Sequence, residues 1–287
     1  MSIQIKTVTT RKDLKTFVRY ANRLYKGNKY YVPSMPFDDL NTLDKEKNGA
    51  FDFCKAEYYL AYKDGEVVGR VAAIINYKAN EAWKGDQVRF GWFDFIDDLE
   101  VSKALLDAVV TFGKAHGMTQ IVGPLGFTDF DPEGMLVEGY DRVSTMALIY
   151  NHPYYPEHMK KHGYVKETGW LEYRITIPDE LPEKHIKIAE IVKERYNLSV
   201  VKKTKRQIRK EKYGHKLFRL INETYCVLYG YSLLSEKQID QYVDVYLSLV
   251  DMKMLTFVED KEGNLIAAGN IGIYLETGSI FHMENER

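Results

Sequence analysis

The chain has 287 residues, 45% of them hydrophobic and 28% charged, with a net charge of −1. This is the balance of a globular protein long enough to bury a sizeable core, and it excludes a disordered chain. Near-neutrality also excludes a whole-molecule field that would draw in nucleic acid or an anionic membrane, so any such attraction has to come from a local patch.

Two cysteines, Cys54 and Cys226, lie too far apart for zinc-ligand spacing and are too few for a disulfide framework, which points to reduced thiols and a cytoplasmic setting. Residues 1–10 have no apolar signal-peptide core. No apolar run approaches the ~20 residues needed to cross a bilayer, so a lipid substrate would be reached from the water side. The 22 tyrosines suit amphipathic pockets or a core rim.

In chain order, Ile3, Ile5 and Thr7 alternate with Gln4, Lys6 and Val8, which predicts an opening strand. Thr10 is placed to cap a helix with Asp13 in its first turn and a stripe of Leu14, Phe17, Val18, Ala21, Leu24 and Tyr25. Gly27 and Asn28 end it, and a short helix is expected over 38–47. A hairpin follows, 57–63 and 67–76 about the turn Asp64-Gly65. A strand over 88–95 leads to an amphipathic helix over 99–116, closed by Gly117. Residues 119–122 read as a buried strand, 157–162 as a short helix stopped by Gly163, and 164–177 as a strand pair or one long strand. This order specifies an α/β protein with a mixed (α+β) sheet and helices on both faces.

Pro178 to Pro182 reads as a linker, dividing the chain into 1–178 and 179–287. Helices are expected over 183–196, 206–229 and 235–250, then a second hairpin, 254–259 and 265–274. The halves look related. Phe17, Ala21, Asn22 and Tyr25 match Leu217, Ile221, Asn222 and Tyr225, and the two hairpins fall at nearly the same offset, which favours an internal duplication. The second copy is expected to be incomplete, stopping at its third strand.

Three motifs, Phe90-Gly91-Trp92-Phe93-Asp94, Gly123-Pro124-Leu125-Gly126-Phe127-Thr128 and Tyr150-Asn151-His152-Pro153-Tyr154-Tyr155-Pro156, resemble a bacterial tandem group within the GNAT acyltransferase superfamily that includes bacterial ceramide synthase-like acyltransferases. The resemblance covers most of residues 1–275. It implies a GNAT-like fold over 1–178, then a partial second copy, and transfer of an acyl group to an amine, sphingoid in the ceramide case. The donor would be an acyl-CoA or acyl-carrier-protein thioester, used as co-substrate rather than held as a permanent cofactor. Two departures stand out. GNAT enzymes hold a pyrophosphate in a glycine-rich loop at a helix N-terminus, whereas the matching Ile96-Asp97-Asp98-Leu99-Glu100-Val101 has three carboxylates and no glycine. Asp97 or Asp98 is instead expected to cap the helix. Many GNAT enzymes also place a general-acid tyrosine four residues before the glycine that ends their last helix. Met159 stands there, and Tyr155 lies one turn, ~5 Å, further back.

Asp94 falls in the pattern Val88, Phe90, Trp92, Asp94, Ile96, read as one face of a strand. A carboxylate among apolar residues is paired or protonated, so it is either a base for the substrate amine or an acceptor for backbone N–H groups or an arginine such as Arg89 or Arg142. Asp94 and Tyr155 are the candidate catalytic residues. Trp92, Asp129, Asn151 and Tyr154 are candidate substrate contacts. Asp129, Asp131 and Glu133 either orient an ammonium group or form a polar loop, and neither they nor His152 and His158 have metal-ligand spacing. Lys202, Lys203, Lys205, Arg206, Arg209 and Lys210 form a basic run, read as a solvated helix start or a contact with anionic lipid headgroups. No stacking platform supports nucleic-acid binding. A non-catalytic binding or scaffolding module is the alternative to an acyltransferase.

Overall fold

The computed structural model describes residues 2–144, 148–173, 178–249, 251–270, 275–276 and 279–280. The chain divides into two units, residues 1–167 with 229–232 and 274–287, and residues 168–228 with 233–273.

In the first unit the elements run β1 (Gln4–Thr7), α1 (Arg11–Leu24), α2 (Pro36–Thr42), β2 (Cys54–Lys63), β3 (Glu66–Asn76), α3 (Tyr77–Trp83), β4 (Gln87–Phe95), α4 (Leu99–Ala115), β5 (Gln120–Val122) and α5 (Tyr154–Lys161). The five strands form one sheet in the order β1-β2-β3-β4-β5. The first three pairings are antiparallel and β4–β5 is parallel, joined across α4. The mixed sheet expected from the sequence is the one observed.

Alternation along β2 and β3 sorts their side chains to two faces. Tyr59, Ala61, Val71, Ala73 and Ile75 pack with Val101, Leu105 and Val109 of α4. Tyr58, Leu60, Ala72 and Ile74 pack with Phe17 and Val18 of α1. Each fully buried large side chain contributes roughly 1.5–3 kcal/mol, so both helices are held by their apolar stripes. Their starts agree with the sequence. Thr10 accepts from Asp13 N at 3.1 Å and Asp98 accepts from Glu100 N at 2.9 Å.

β4 departs from simple alternation. Ala72 opposes Gly91 but Arg70 opposes Asp94, so Trp92 and Phe93 together stand opposite Val71. Trp92 has φ +43°. This is a β-bulge, one extra residue that bends the strand and inverts the alternation beyond it. Val88, Phe90, Phe93 and Phe95 therefore share the α4 face, while Trp92 packs on the α1 face. The expected single face running from Val88 to Asp94 is thus corrected.

Other boundaries differ for local reasons. α2 begins earlier than expected because Pro36 occupies its first turn. α3 was not anticipated and is capped by Asn76, which accepts from Ala79 N at 2.8 Å. α5 starts at Tyr154, directly after Pro153. Residues 164–173 form no strand: they pair with no described strand, and Val165, Leu171 and Tyr173 are 89%, 80% and 75% exposed. Residues 174–177 of that expected strand lie outside the described residues.

The second unit contains α6 (Glu183–Arg195), β6 (Ser199–Val201), α7 (Lys205–Lys210), α8 (Tyr213–Tyr225), α9 (Glu236–Leu249), β7 (Leu255–Glu259) and β8 (Leu265–Asn270). The helix expected over 206–229 is two helices, broken where Lys212 takes φ +53°. The sheet is antiparallel in the order β6-β7-β8. This order and pairing repeat β1-β2-β3. Asn22 Nδ2 donates to Ser34 O at 3.1 Å, and Asn222 Nδ2 to Leu234 O at 3.0 Å, the same clamp closing the same helix-to-helix loop at an offset of 200 residues. The duplication read from the sequence is therefore matched by pairing and by side-chain contacts.

Candidate active site

The bulge in β4 turns Asp94 towards α1, where cross-strand register sets Arg70 of β3 opposite it. Asp94 Oδ2 receives Arg70 Nε at 2.8 Å and Nη2 at 2.7 Å. Arg70 Nη1 donates to the carbonyls of Phe17 and Val18 in α1 at 2.9 and 3.2 Å. Both partners are buried. Burial by itself pulls the guanidinium pKa down, but the Asp94 and Asp39 carboxylates and the hydrogen bond outweigh it and leave it raised. The charge partner of Asp94 is thus Arg70, not Arg89 or Arg142.

The other carboxylate oxygen faces two tyrosines. Tyr25 Oη lies 3.1 Å and Tyr155 Oη 3.4 Å from Asp94 Oδ1, and the two hydroxyls are 2.8 Å apart. Tyr155 Oη also accepts the Phe95 amide at 3.1 Å. The shortest consistent chain runs from Phe95 N–H to Tyr155, from Tyr155 to Tyr25, and from Tyr25 to Asp94. Tyr25 is delivered by the C-cap of α1. Tyr155 comes from the first turn of α5, with its ring stacked on Phe95 at 4.3 Å. Burial first, then the Asp94 charge, holds both phenols well above their usual pKa, so both are protonated at neutral pH.

Around this centre lie Tyr31, Tyr150, His152 and Tyr154. Tyr25 packs on Tyr31 at 4.5 Å and on His152 at 4.9 Å, and His152 stacks on Tyr154 at 5.3 Å. Tyr154 Oη donates to Phe95 O at 2.5 Å. Burial lowers the His152 pKa against the pull of Asp94 and Asp97. Tyr20 is buried nearby, and its hydroxyl has no hydrogen-bond partner.

The other sequence candidates are distributed differently. Asn151 is buried, accepting from Leu136 N at 2.7 Å and donating to Leu136 O at 3.1 Å, and so holds the preceding loop. Trp92 is in the α1-side core with Nε1 3.2 Å from Asp39 Oδ1. Asp129 lies with Asp131 and Glu133 near Arg89. Burial pushes these carboxyls up to about 6, about 7 and about 8 respectively. Asp131 Oδ2 accepts from Phe127 N and Thr128 N at 2.8 and 3.0 Å. Arg89 donates to the carbonyls of Gly126 and Gly230 at 3.2 and 3.0 Å. No group of three or more potential ligands could hold a metal ion among the described residues.

Asp98 is the N-cap of α4 and also takes Lys63 Nζ at 2.6 Å. The start of α4 is thereby occupied by protein. Met159 is partly buried against the α4-side core. In the basic run, Lys202 Nζ is spent on Lys253 O, Leu255 O and Thr256 Oγ1, and Lys203 pairs with Glu211 at 3.1 Å. Lys205, Arg206, Arg209 and Lys210 are exposed. No helix is long and apolar enough to cross a membrane among the described residues.

Sequence reasoning picked out Asp94 and Tyr155, and the structure brings them together. It missed Arg70, Tyr25 and Tyr20. The signal for Tyr25 was its recurrence as Tyr225, whereas Arg70 could be found only from the β3–β4 register.

No protein-family model matches the chain. It is 30% identical over 169 residues to Protein YghO of Escherichia coli, covering 59% of this chain and 43% of that protein. It is 24% identical over 254 residues to the bacterial ceramide synthase of Caulobacter vibrioides, covering 88% of this chain and 65% of that one. The chain therefore spans less than two thirds of either relative. Similar solved structures include a tandem GNAT protein from the clavulanic acid biosynthesis pathway, with TM-score 0.48 and 10% identity over 94% of this chain and 75% of that one. Another is a predicted acetyltransferase of Clostridium acetobutylicum solved with acetyl-CoA, with TM-score 0.37 and 12% identity over 60% of this chain and 96% of that one. The ceramide synthase is of the kind that the three sequence motifs resemble.

Proposed function

We propose that the chain is a GNAT-type N-acyltransferase, or the greater part of one, that moves an acyl group from a thioester to an amine through the centre at Asp94. The observation that carries this reading is the division of labour at that carboxylate. Arg70 holds Oδ2, leaving Oδ1 at the end of a chain of two neutral tyrosine hydroxyls. An amine attacks a thioester carbonyl only when neutral, and it must shed a proton as the bond to carbon forms. Asp94 Oδ1 is the acceptor of that proton, directly or through Tyr25. Tyr155, a phenol kept protonated, is 2% exposed and holds Tyr25 in place through the 2.8 Å hydroxyl contact, while the departing thiolate takes its proton from solvent. The aromatic rim of Tyr31, Tyr150, His152 and Tyr154 suits an ammonium group, which favours the faces of such rings.

The similarity to a ceramide synthase supports a long-chain amino alcohol as acceptor and an acyl-CoA or acyl-carrier-protein thioester as donor. For such an acceptor, Lys205, Arg206, Arg209 and Lys210 would provide peripheral attachment to anionic lipid.

The second reading, a GNAT-like binding module without a donor site, is favoured by one observation. The start of α4 carries the Asp97 and Asp98 carboxylates, and Asp98 already fills the cap, so a pyrophosphate meets like charge there. Calorimetric titration with coenzyme A and a long-chain acyl-CoA separates the two. Saturable binding with transfer to an amine that fails in Asp94→Asn supports the enzyme. A folded protein that binds neither thioester nor coenzyme A supports the module.

A further inference from the structure

Beside the Asp94 centre the first unit contains a second network, built on the buried Ser102 and His158. Ser102, in the first turn of α4, has its Oγ 2.9 Å from His158 Nδ1, 2.8 Å from His162 Nε2 and 3.2 Å from Leu99 O. His158 Nε2 lies 2.9 Å from Asp97 Oδ1. The residue types are those of a serine nucleophile with its base. Ser102, however, is 0% exposed, so no substrate reaches it.

What the network does hold is α5. That helix has eight residues and no side-chain cap, and two turns alone are marginal in water. His158 sits one turn after Tyr154 and Tyr155, with its ring 5.2 Å from Phe95 and 5.4 Å from Tyr154. Ser102 Oγ, which donates to Leu99 O, lies between the two imidazoles, and the far nitrogen of His158 meets Asp97. The half of α5 beyond Tyr155 is thereby tied to α4 and to the β4–α4 turn, which also follows Phe95.

We infer that His158 is a positioning residue, seating α5 between Ser102 and Asp97 so that Tyr155 Oη stays on the Phe95 amide beside Tyr25 and Asp94. Its consequence for acyl transfer rests on the function proposed above, whereas the seating itself can be measured without that function.

The test is amide hydrogen exchange followed by NMR in the full chain. The Phe95 amide bonds to Tyr155 Oη, so Tyr155→Phe is expected to lower its protection about tenfold. His158→Leu is expected to lower it about as much, with the β4 amides from 88 to 91 unchanged. His158→Asn, which restores a polar group facing Ser102, is expected to recover part of the loss. Unchanged Phe95 protection in folded His158→Leu would overturn the inference, as would a loss spread evenly along β4. If His158→Leu does not fold, Ser102→Ala carries the same two outcomes. In acyl transfer, His158→Leu is expected to lower kcat with KM unchanged, and partial rescue by His158→Asn is expected here too. A loss confined to KM would count against positioning. Transfer unaffected by Asp94→Asn would sink the proposed centre and leave the seating result standing.

Discussion

Replacing Arg70 with methionine tests the centre most directly. The substitution keeps most of the side-chain volume and removes the charge. It leaves the Asp94 carboxylate buried, with side-chain exposure of 12%, and without its cation. Breaking a buried pair from one side costs about 3–5 kcal/mol. The low end applies because the Tyr25 hydroxyl still donates to Asp94, so the expected loss is about 3 kcal/mol, roughly a hundredfold in the ratio of folded to unfolded protein. Removing both partners in Arg70→Met/Asp94→Leu replaces the pair with apolar groups and is expected to recover more than half of that loss. The assay is urea unfolding of wild type, both single variants and the double variant, accepting only curves with equal m-values. The reasoning is refuted if Arg70→Met costs under about 1 kcal/mol, or if the double variant loses the sum of the singles, since partners in one network do not add.

Three further outcomes follow from the geometry. Tyr20 has a buried hydroxyl without a partner, so Tyr20→Phe is expected to leave the urea midpoint unchanged or raise stability by about 1 kcal/mol, and a loss would show that the hydroxyl is satisfied. A Cβ at Gly91 would stand 2.5 Å from the Leu125 carbonyl oxygen, so Gly91→Ala is expected to lose about 2 kcal/mol or more, read from the same unfolding curves. Asp129, Asp131 and Glu133 have folded pKa values of about 6, about 7 and about 8, above the roughly 4 of the unfolded chain. Their penalty is absent below about pH 4, grows as pH rises through the folded values, and is complete above about pH 8. The urea midpoint should therefore rise between pH 8.5 and 5.5, and Asp129→Asn/Glu133→Gln should flatten the rise.

Much of the first unit was legible because its signals are local. The α1 and α4 stripes recur at helical spacing, Thr10 and Asp98 are good caps, and Asp64-Gly65 marks the hairpin. The duplication was legible because Asn22 and Tyr25 recur as Asn222 and Tyr225. What was not legible depends on contacts distant in sequence. The bulge takes its positive φ at Trp92 and not at the neighbouring Gly91, so alternation carried on past a point where the backbone does not. Arg70 becomes the partner of Asp94 only through β3–β4 register. Residues 164–173 have strand-like composition, but a strand exists only where a neighbour offers hydrogen bonds.

The bulge in β4 has a consequence for how this protein can change. It joins two half-strands that are out of phase, like two gears meshed one tooth apart. Substitution at position 94 can alter what is presented towards α1, but no substitution there can alter which side it is presented on. That depends on the extra residue at 92 and 93. If the same residues ran in plain alternation, Asp94 would turn to the α4 side and leave Arg70 alone in the core, whereas removing one residue at 92 or 93 would take out only the extra residue and leave Asp94 opposite Arg70. The centre is therefore tolerant of a single-codon deletion at the bulge and intolerant of losing the bulge at full length.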